Sequence, residues 1–250
     1  MQVYISLSCF AFVVSLSLGN QLSFCRPRRD LRWTKVSTPL DFFPTSNLMY
    51  SKKDNKFYLP GPGGHHLLSY DLEFNKEFHE LQFRNFPEAF KYDSELSEMV
   101  PYSTRTDYLV ESPSGDERFL VKWYAKGGLA SKNIYYDTQR IMVFREEETL
   151  EGRFMCYTDD IGDLCIFVSK GESFCVQASS YPGLKPNSIY FIGFGLGAYD
   201  LTTRTASSFQ APIKVYWIVL RLLIGFLHLL VLASAMLFAS FVLVSRSQTC

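Results

Sequence analysis

Residues 160–201, DIGDLCIFVSKGESFCVQASSYPGLKPNSIYFIGFGLGAYDL, read as successive short strands punctuated by turns. Leu164–Val168 and Ser173–Gln177 are apolar, β-prone runs joined across Ser169, Lys170, Gly171 and Glu172, a connection of hairpin size and composition. Pro182, Gly183 and Pro186 exclude a helix and force a turn before the next strand, Ser188–Ile192, which runs into Gly193, Gly195 and Gly197. Strands spaced this way are expected to form meanders.

The same punctuation recurs outward from this stretch. Strands are expected at Phe12–Ser15, Gln21–Cys25, Trp33–Val36, Phe57–Leu59, His66–Tyr70 and Phe78–Phe83. They continue at Asp107–Glu111, Glu117–Trp123, Arg140–Arg145 and Arg153–Tyr157, with Ser112–Asp116 as a turn. Only Asn85–Met99 has helical or irregular character. A chain of 250 residues with 16% aromatic content suits one large all-β domain or two small ones with a filled core.

An internal echo decides between all-β architectures. Asn55-Lys56-Phe57-Tyr58 leads through a glycine-bearing turn to Tyr70-Asp71-Leu72, and Asn187-Ser188-Ile189-Tyr190 leads similarly to Tyr199-Asp200-Leu201. From Asp71 to Asp200 is 129 residues, three steps of 43, within the 40–50 residue blade length of propeller repeats. A sandwich gives no reason for that spacing, so the expectation is a propeller rather than a jelly roll.

A family resemblance rests on Tyr108-Leu109-Val110-Glu111-Ser112 with Ser114-Gly115-Asp116, on Met142-Val143-Phe144-Arg145, on Ile161–Phe167, and on Tyr181–Phe191. In their order these resemble the plant KIB-type β-propeller family, a domain of unknown function that forms the C-terminal, partner-binding part of many F-box proteins, over roughly residues 12–205. The resemblance implies a propeller presented to a protein substrate of an SCF ubiquitin ligase. The chain opens inside strand-like sequence, without the helical F-box, so ligase activity and direct binding to the SCF adaptor are not carried over. At about 43 residues per blade, residues 1–210 make four to five blades, and the ring need not close.

The second departure is the tail. Leu222–Val244 holds 23 residues without Asp, Glu, Lys or Arg, enough at about 1.5 Å per residue to cross about 30 Å of hydrocarbon. It is expected to be a transmembrane helix, with His228 as a neutral or neighbour-facing residue rather than part of a proton path. Residues 245–250 then form a short tail that is not a prenylation box, the arrangement of a tail-anchored protein. Lys214 and Arg221 before the span against Arg246 after it tilt the propeller toward the cytosol. A rival reading starts from the N-terminus: Met1–Cys25 is uncharged, Ile5–Val14 is apolar, and Ser17-Leu18-Gly19 resembles a cleavage site. It makes a type I membrane protein with a luminal β-domain. Against it, the n-region lacks Lys and Arg, the same residues read as two strands around Leu18-Gly19-Asn20, and no Asn-x-Ser/Thr acceptor occurs. A third reading is a nonfunctional truncated family copy.

Site chemistry is sparse. Twenty-five acidic and 25 basic residues cancel, so no global field favours nucleic acid, and Arg26, Arg28, Arg29, Arg32 and Lys35, interrupted by Asp30, read as a solvated loop. Cys9, Cys25, Cys156, Cys165, Cys175 and Cys250 lack C-x-x-C spacing and read as reduced thiols, those at 165 and 175 in the core. Asp159, Asp160 and Asp163 lack the glycine and distal glutamate of a calcium loop, and His65, His66 and His79 make no zinc set. Gly193, Gly195 and Gly197 and the Lys170-Gly171 pair read as turn chemistry, not nucleotide loops. Glu146, Glu147, Glu148 and Glu151 are either a solvated face or a docking surface for a basic partner. No nucleophile elbow points to catalysis.

The expected whole is all-β: a partial propeller over residues 1–210, a juxtamembrane linker over 211–221, a transmembrane helix over 222–244 and a tail over 245–250. Its expected function is non-enzymatic protein recognition, with no cofactor, no metal, no nucleic acid, and a protein partner that no residue here identifies.

Overall fold

Runs in which β-branched and aromatic side chains recur every second residue set the secondary structure. The computed structural model describes residues 2–7, 12–18, 21–26, 29–37, 47–61, 64–86, 103–130, 133–169, 173–193 and 195–209. These are mostly β and make four sheets. The first is an antiparallel meander of β1 (Gln2–Leu7), β2 (Phe12–Leu18), β3 (Gln21–Cys25) and β4 (Thr34–Val36). The second repeats that arrangement with β5 (Met49–Ser51), β6 (Lys56–Pro60), β7 (His66–Tyr70) and β8 (Lys76–Glu80).

The third sheet is built on a longer meander: β10 (Ser103–Glu111), β11 (Arg118–Ala130), β12 (Asn133–Thr149) and β13 (Gly152–Thr158). On its outer edge β9 (Gln82–Arg84) lies parallel to β13. The expected strand Phe78–Phe83 is therefore two strands in two sheets. The break falls at Leu81, whose amide donates to the His65 carbonyl at 2.7 Å and turns the chain from one sheet to the next.

In the fourth sheet the expected meander fails. β14 (Leu164–Ser169) and β15 (Phe174–Gln177) do pair antiparallel, but β16 (Ser188–Gly193) lies parallel to β14 instead of beside β15. The reason is local. After β15 a short 3-10 turn at Ala178–Ser180 and the proline-bearing turn return the chain to the start of β14. There the Ala178 amide donates to Asp163 O, and the Asn187 amide donates to Gly162 O and Leu164 O. β16 thus starts level with β14 and runs the same way. β17 (Gly195–Asp200) and β18 (Thr205–Ser208) complete the sheet antiparallel.

The sequence echo is a structural repeat, though not of the expected period. Phe57 pairs with Tyr70 and Ile189 with Tyr199, so the two copies are equivalent hairpins. Asn55 and Asn187 both take φ of 53°, a left-handed conformation that asparagine tolerates. Asp71 accepts the amides of Glu73 and Asn75, and Asp200 those of Thr202 and Thr203, so both aspartates close the turn after their strand. The copies sit in the second and fourth sheets with only the third between them. The 129 residues are therefore two steps and not three of 43, because β11 and β12, at 13 and 17 residues, lengthen the third sheet.

Buried side chains join the sheets in series. Leu22 and Phe24 of the first meet Phe57, Leu59, Leu68 and Tyr70 of the second. Tyr58 and Leu67 of the second meet Leu109, Leu120 and Phe144 of the third. Val121, Trp123 and Ile141 of the third meet Ile166, Ile189 and Phe191 of the fourth. Among the described residues no helix is long and apolar enough to cross a membrane, and the 222–244 run, His228 included, lies outside them. Most of Asn85–Met99 also lies outside them, as do Cys9, Arg28, Lys170, Gly171 and Cys250.

Candidate functional site

The seam between the second and third sheets is where charge enters the interior. Along β10 and β11 the side chains alternate: Tyr108, Val110, Phe119, Val121 and Trp123 face the fourth sheet, whereas Leu109, Leu120 and Tyr124 face the second. Asp107 and Lys122 fall on the second-sheet side, directly opposite one another in the strand register, and both are buried. Arg105 Nη2 approaches Asp107 Oδ2 at 3.1 Å, yet neither carboxylate oxygen is aligned with a donor in hydrogen-bond geometry. Burial pushes the Asp107 carboxyl up to about 6 against the pull of Arg105 and Lys122, and burial lowers the Lys122 ammonium to about 8.

Lys122 Nζ lies 4.1 Å from the centre of the Phe83 ring and 5.2 Å from that of Phe144, so its charge rests against aromatic faces. Gly64, at φ 65°, leaves the room: a Cβ there would meet Lys122 Cε at 2.9 Å. His65, next in that loop, is held below its ordinary value by burial and by the charge of Lys122.

Outward along the same seam lies a cleft of about 250 Å³. Tyr58, Leu67, Leu81 and Phe154 give it an apolar lining, and Glu80, Glu146, Glu151 and Arg153 bring charge to it. Two of the acids are ion-paired within the chain. Glu146 accepts from the buried Arg118 at 3.1 Å, and Arg118 also binds Asp54 at 2.5 Å and covers the Tyr58 ring at 4.7 Å. Glu151 accepts from Arg84 at 2.6 Å, whose guanidinium stacks 3.3 Å from the centre of the Phe154 ring. Beside the cleft the β12–β13 turn carries Leu150, fully exposed at 109%, among the exposed Glu147, Glu148 and Glu151. A cleft lined by apolar and polar side chains in similar measure, with two of its acids ion-paired and an exposed aliphatic side chain beside it, is suited to holding a peptide-like surface.

The residues singled out in the sequence scatter. Of the glutamate run, Glu146 and Glu151 line the cleft while Glu147 and Glu148 stay in solvent. The arginine cluster is only partly the expected solvated loop. Arg29, Arg32 and Lys35 are exposed, but Arg26, held within its own loop by Asp30 at 2.8 Å, braces the first sheet to the second through Glu73 at 3.0 Å and the Phe74 ring at 4.9 Å. Asp159 pairs with Arg204 at 3.0 Å, Asp160 accepts the Gly162 amide, and Asp163 accepts from Ser179. His66 and His79 are strand residues, with His79 Nε2 2.9 Å from Ser69 Oγ. Among the described residues no group of three His, Cys, Asp or Glu is arranged to hold a metal ion.

Gly193 and Gly195, with φ of 143° and 97°, do make the β16–β17 turn. Gly197 does not: it is a strand residue where a Cβ would strike Ser207 O at 2.3 Å, so its role is close backbone approach. Cys25, Cys156, Cys165 and Cys175 are free and buried, and burial pushes the Cys165 and Cys175 thiols up to about 12, which keeps them protonated. Asp107, Lys122 and Arg118 were not singled out from the sequence. Only Lys122 carried a signal, as a single charge inside the run Phe119-Leu120-Val121-Lys122-Trp123-Tyr124, whereas Asp107 and Arg118 stand next to polar residues in sequence.

The model of the KIB1-4 beta-propeller family matches residues 4–216, which include all four sheets except the first two residues of β1. The chain belongs to the KIB1-4 beta-propeller family. Membership explains the serial packing, since propeller blades are small sheets stacked face against face. It also accounts for the resemblance carried by Tyr108–Asp116 and Tyr181–Phe191, which lie in the third and fourth sheets. No curated protein matches this chain.

Proposed function

We propose that this KIB1-4 beta-propeller chain is a non-enzymatic protein-recognition module whose binding surface is the cleft between the second and third sheets, with Leu150 as its apolar anchor. The observation that carries this reading is a fully exposed leucine beside a partly apolar cleft, two of whose acids, Glu146 and Glu151, are ion-paired with Arg118 and Arg84. Such a surface offers area for burial without a large cost for stripping water from unpaired charge. The partner is a protein, and the module carries no resident cofactor. By family analogy it resembles the substrate-binding part of F-box proteins.

Substituting Leu150→Arg together with Glu151→Lys tests the surface. Proteins retained by the wild-type chain are expected to be lost at least tenfold, while stability falls by no more than about 1 kcal/mol, because Leu150 and the Glu151–Arg84 pair are exposed. An unchanged retained set would remove the cleft from consideration.

The uncharged 222–244 run supports a second part of the proposal, a membrane tether with the propeller on the cytosolic side. The strands at 2–7, 12–18 and 21–25 favour this over a cleaved leader. A tag at the Ser112–Asp116 turn is expected to be digested in sealed vesicles without detergent while the protein stays with the membranes after carbonate. Protection until detergent is added would instead make the β-domain luminal.

A further inference from the structure

The connection from β3 to β4 gathers exposed apolar and basic side chains in one place. Leu31 is 101% exposed and Trp33 39%, and Arg29, Arg32 and Lys35 around them in the chain are exposed as well. A lone exposed leucine is ordinary on a protein surface, whereas an aliphatic and an aromatic side chain two residues apart and set among cations make an amphipathic patch.

The patch is held in place at both ends. At its base Asp30 accepts the Arg26 amide at 2.8 Å and the Arg26 guanidinium through Nε at 2.9 Å and Nη2 at 2.8 Å, while the amides of Arg29 and Asp30 both donate to Arg26 O. At its far end β4 pairs with β3, and Val36 packs against the core shared by the first and second sheets. Leu31, Arg32 and Trp33 are thus kept in solvent between two fixed points. Positive charge is left over there. Arg26 and Arg29 share Glu73, at 3.0 and 2.8 Å, but Arg32 and Lys35 meet no carboxylate among the described residues. The excess is local, since the chain as a whole is formally neutral.

We propose that the β3–β4 loop is a docking surface for an anionic lipid bilayer, with Leu31 and Trp33 entering the headgroup region and Arg32 and Lys35 meeting the anionic headgroups. A bilayer offers negative charge with an apolar layer directly beneath it, the order in which this loop presents cations and apolar side chains. Tryptophan suits that boundary because its ring is apolar and its indole N–H is polar. Nucleic acid supplies the negative charge but no aliphatic environment for Leu31. The proposal rests neither on the cleft nor on the 222–244 run. It agrees with a cytosolic domain, because the cytosolic leaflet is the anionic one.

A photoreactive benzoylphenylalanine in place of Leu31, in the full chain, tests it in vesicles of phosphatidylcholine with and without phosphatidylserine. The expected product is a lipid adduct on the peptide carrying the probe, formed about fivefold or more in excess when phosphatidylserine is present and lowered to the same extent by Arg32→Gln with Lys35→Gln. The same probe at Leu150, equally exposed but among glutamates, is expected to give no such excess. Equal lipid adducts at Leu31 and Leu150, adducts only at dimer mass, or adducts to an added RNA oligonucleotide but not to lipid would each overturn the proposal. A salt step needs no substitution of the two cations: raising it from about 0.05 to about 0.5 M is expected to abolish most of the phosphatidylserine-dependent excess. An excess that salt leaves unchanged would also overturn it.

Discussion

Two seams border the third sheet, and they are built from opposite materials. Toward the fourth sheet the buried cluster is apolar and carries no charged side chain, with Trp123 1% exposed and its ring 5.3 Å from Phe191. Toward the second sheet the same strands place Asp107, Lys122 and Arg118 among the leucines and aromatics. The apolar seam holds chiefly by buried area. The charged seam holds only when each charge meets its partner, because a buried charge left alone costs several kcal/mol. It thereby fixes how the second and third sheets meet, and the cleft opens along the seam so fixed.

The largest effect is expected at the apolar seam. Trp123→Ala removes the biggest buried ring there and its donation to Thr138 Oγ1 at 3.0 Å, a loss of roughly 3–5 kcal/mol by urea denaturation. A loss below about 1 kcal/mol would mean that this seam does not carry the stability. At the charged seam, Lys122→Met leaves the buried Asp107 with Arg105 alone beside it and is expected to cost about 2 kcal/mol, most of it recovered when Asp107→Leu is added. If the double variant is no more stable than the single one, the two charges are not coupled and the contrast between the seams disappears.

The smallest effect is one of pH. The Asp107 carboxyl, raised to about 6 in the fold, binds its proton more tightly there than in the unfolded chain, where it titrates near 3.8. Its contribution to stability is therefore full below about pH 4 and is lost as pH rises through about 6. Lys122, lowered to about 8, has the opposite sign: its contribution is present above its unfolded value of 10.5 and lost as pH falls through about 8, so it changes little between pH 7 and 5. Relative to Asp107→Asn, the wild-type chain is expected to gain on the order of 1 kcal/mol when the pH is lowered from 7 to 5. Parallel pH profiles for the two proteins would show that this carboxyl is not the titrating group.

Much of the secondary structure was legible before any coordinates. β3 and β7 fall on their expected residues, and β10–β13 differ chiefly in length, because alternation of apolar side chains is a local property. Four strands gave no such signal: β5 is three residues long, β18 is wholly exposed, β17 is interrupted by glycines, and β1 lies in a run apolar enough to suggest a leader. The candidate site was half legible. Glu146 and Glu151 stood out as part of an acidic run, but the Arg118 and Arg84 that neutralise them come from distant positions in the chain. Gly197 resembled its neighbours in sequence and differs from them only because Ser207 lies across from it.

What the sequence determined by itself was the β character, the hairpins, the equivalence of the two Tyr-Asp-Leu turns and the family, since each depends on residues close together or on motifs in order. Tertiary structure alone decided that β16 runs parallel to β14, that the repeat is two sheets long, that Arg26 is a brace, and that Asp107 and Lys122 share one buried face. Each of these depends on which backbone amide or charge is brought near from elsewhere in the chain. A hydrogen bond such as Asn187 to Leu164, or an ion pair such as Arg118 with Asp54, acts across a few ångströms of space, a distance that separation along the chain does not encode.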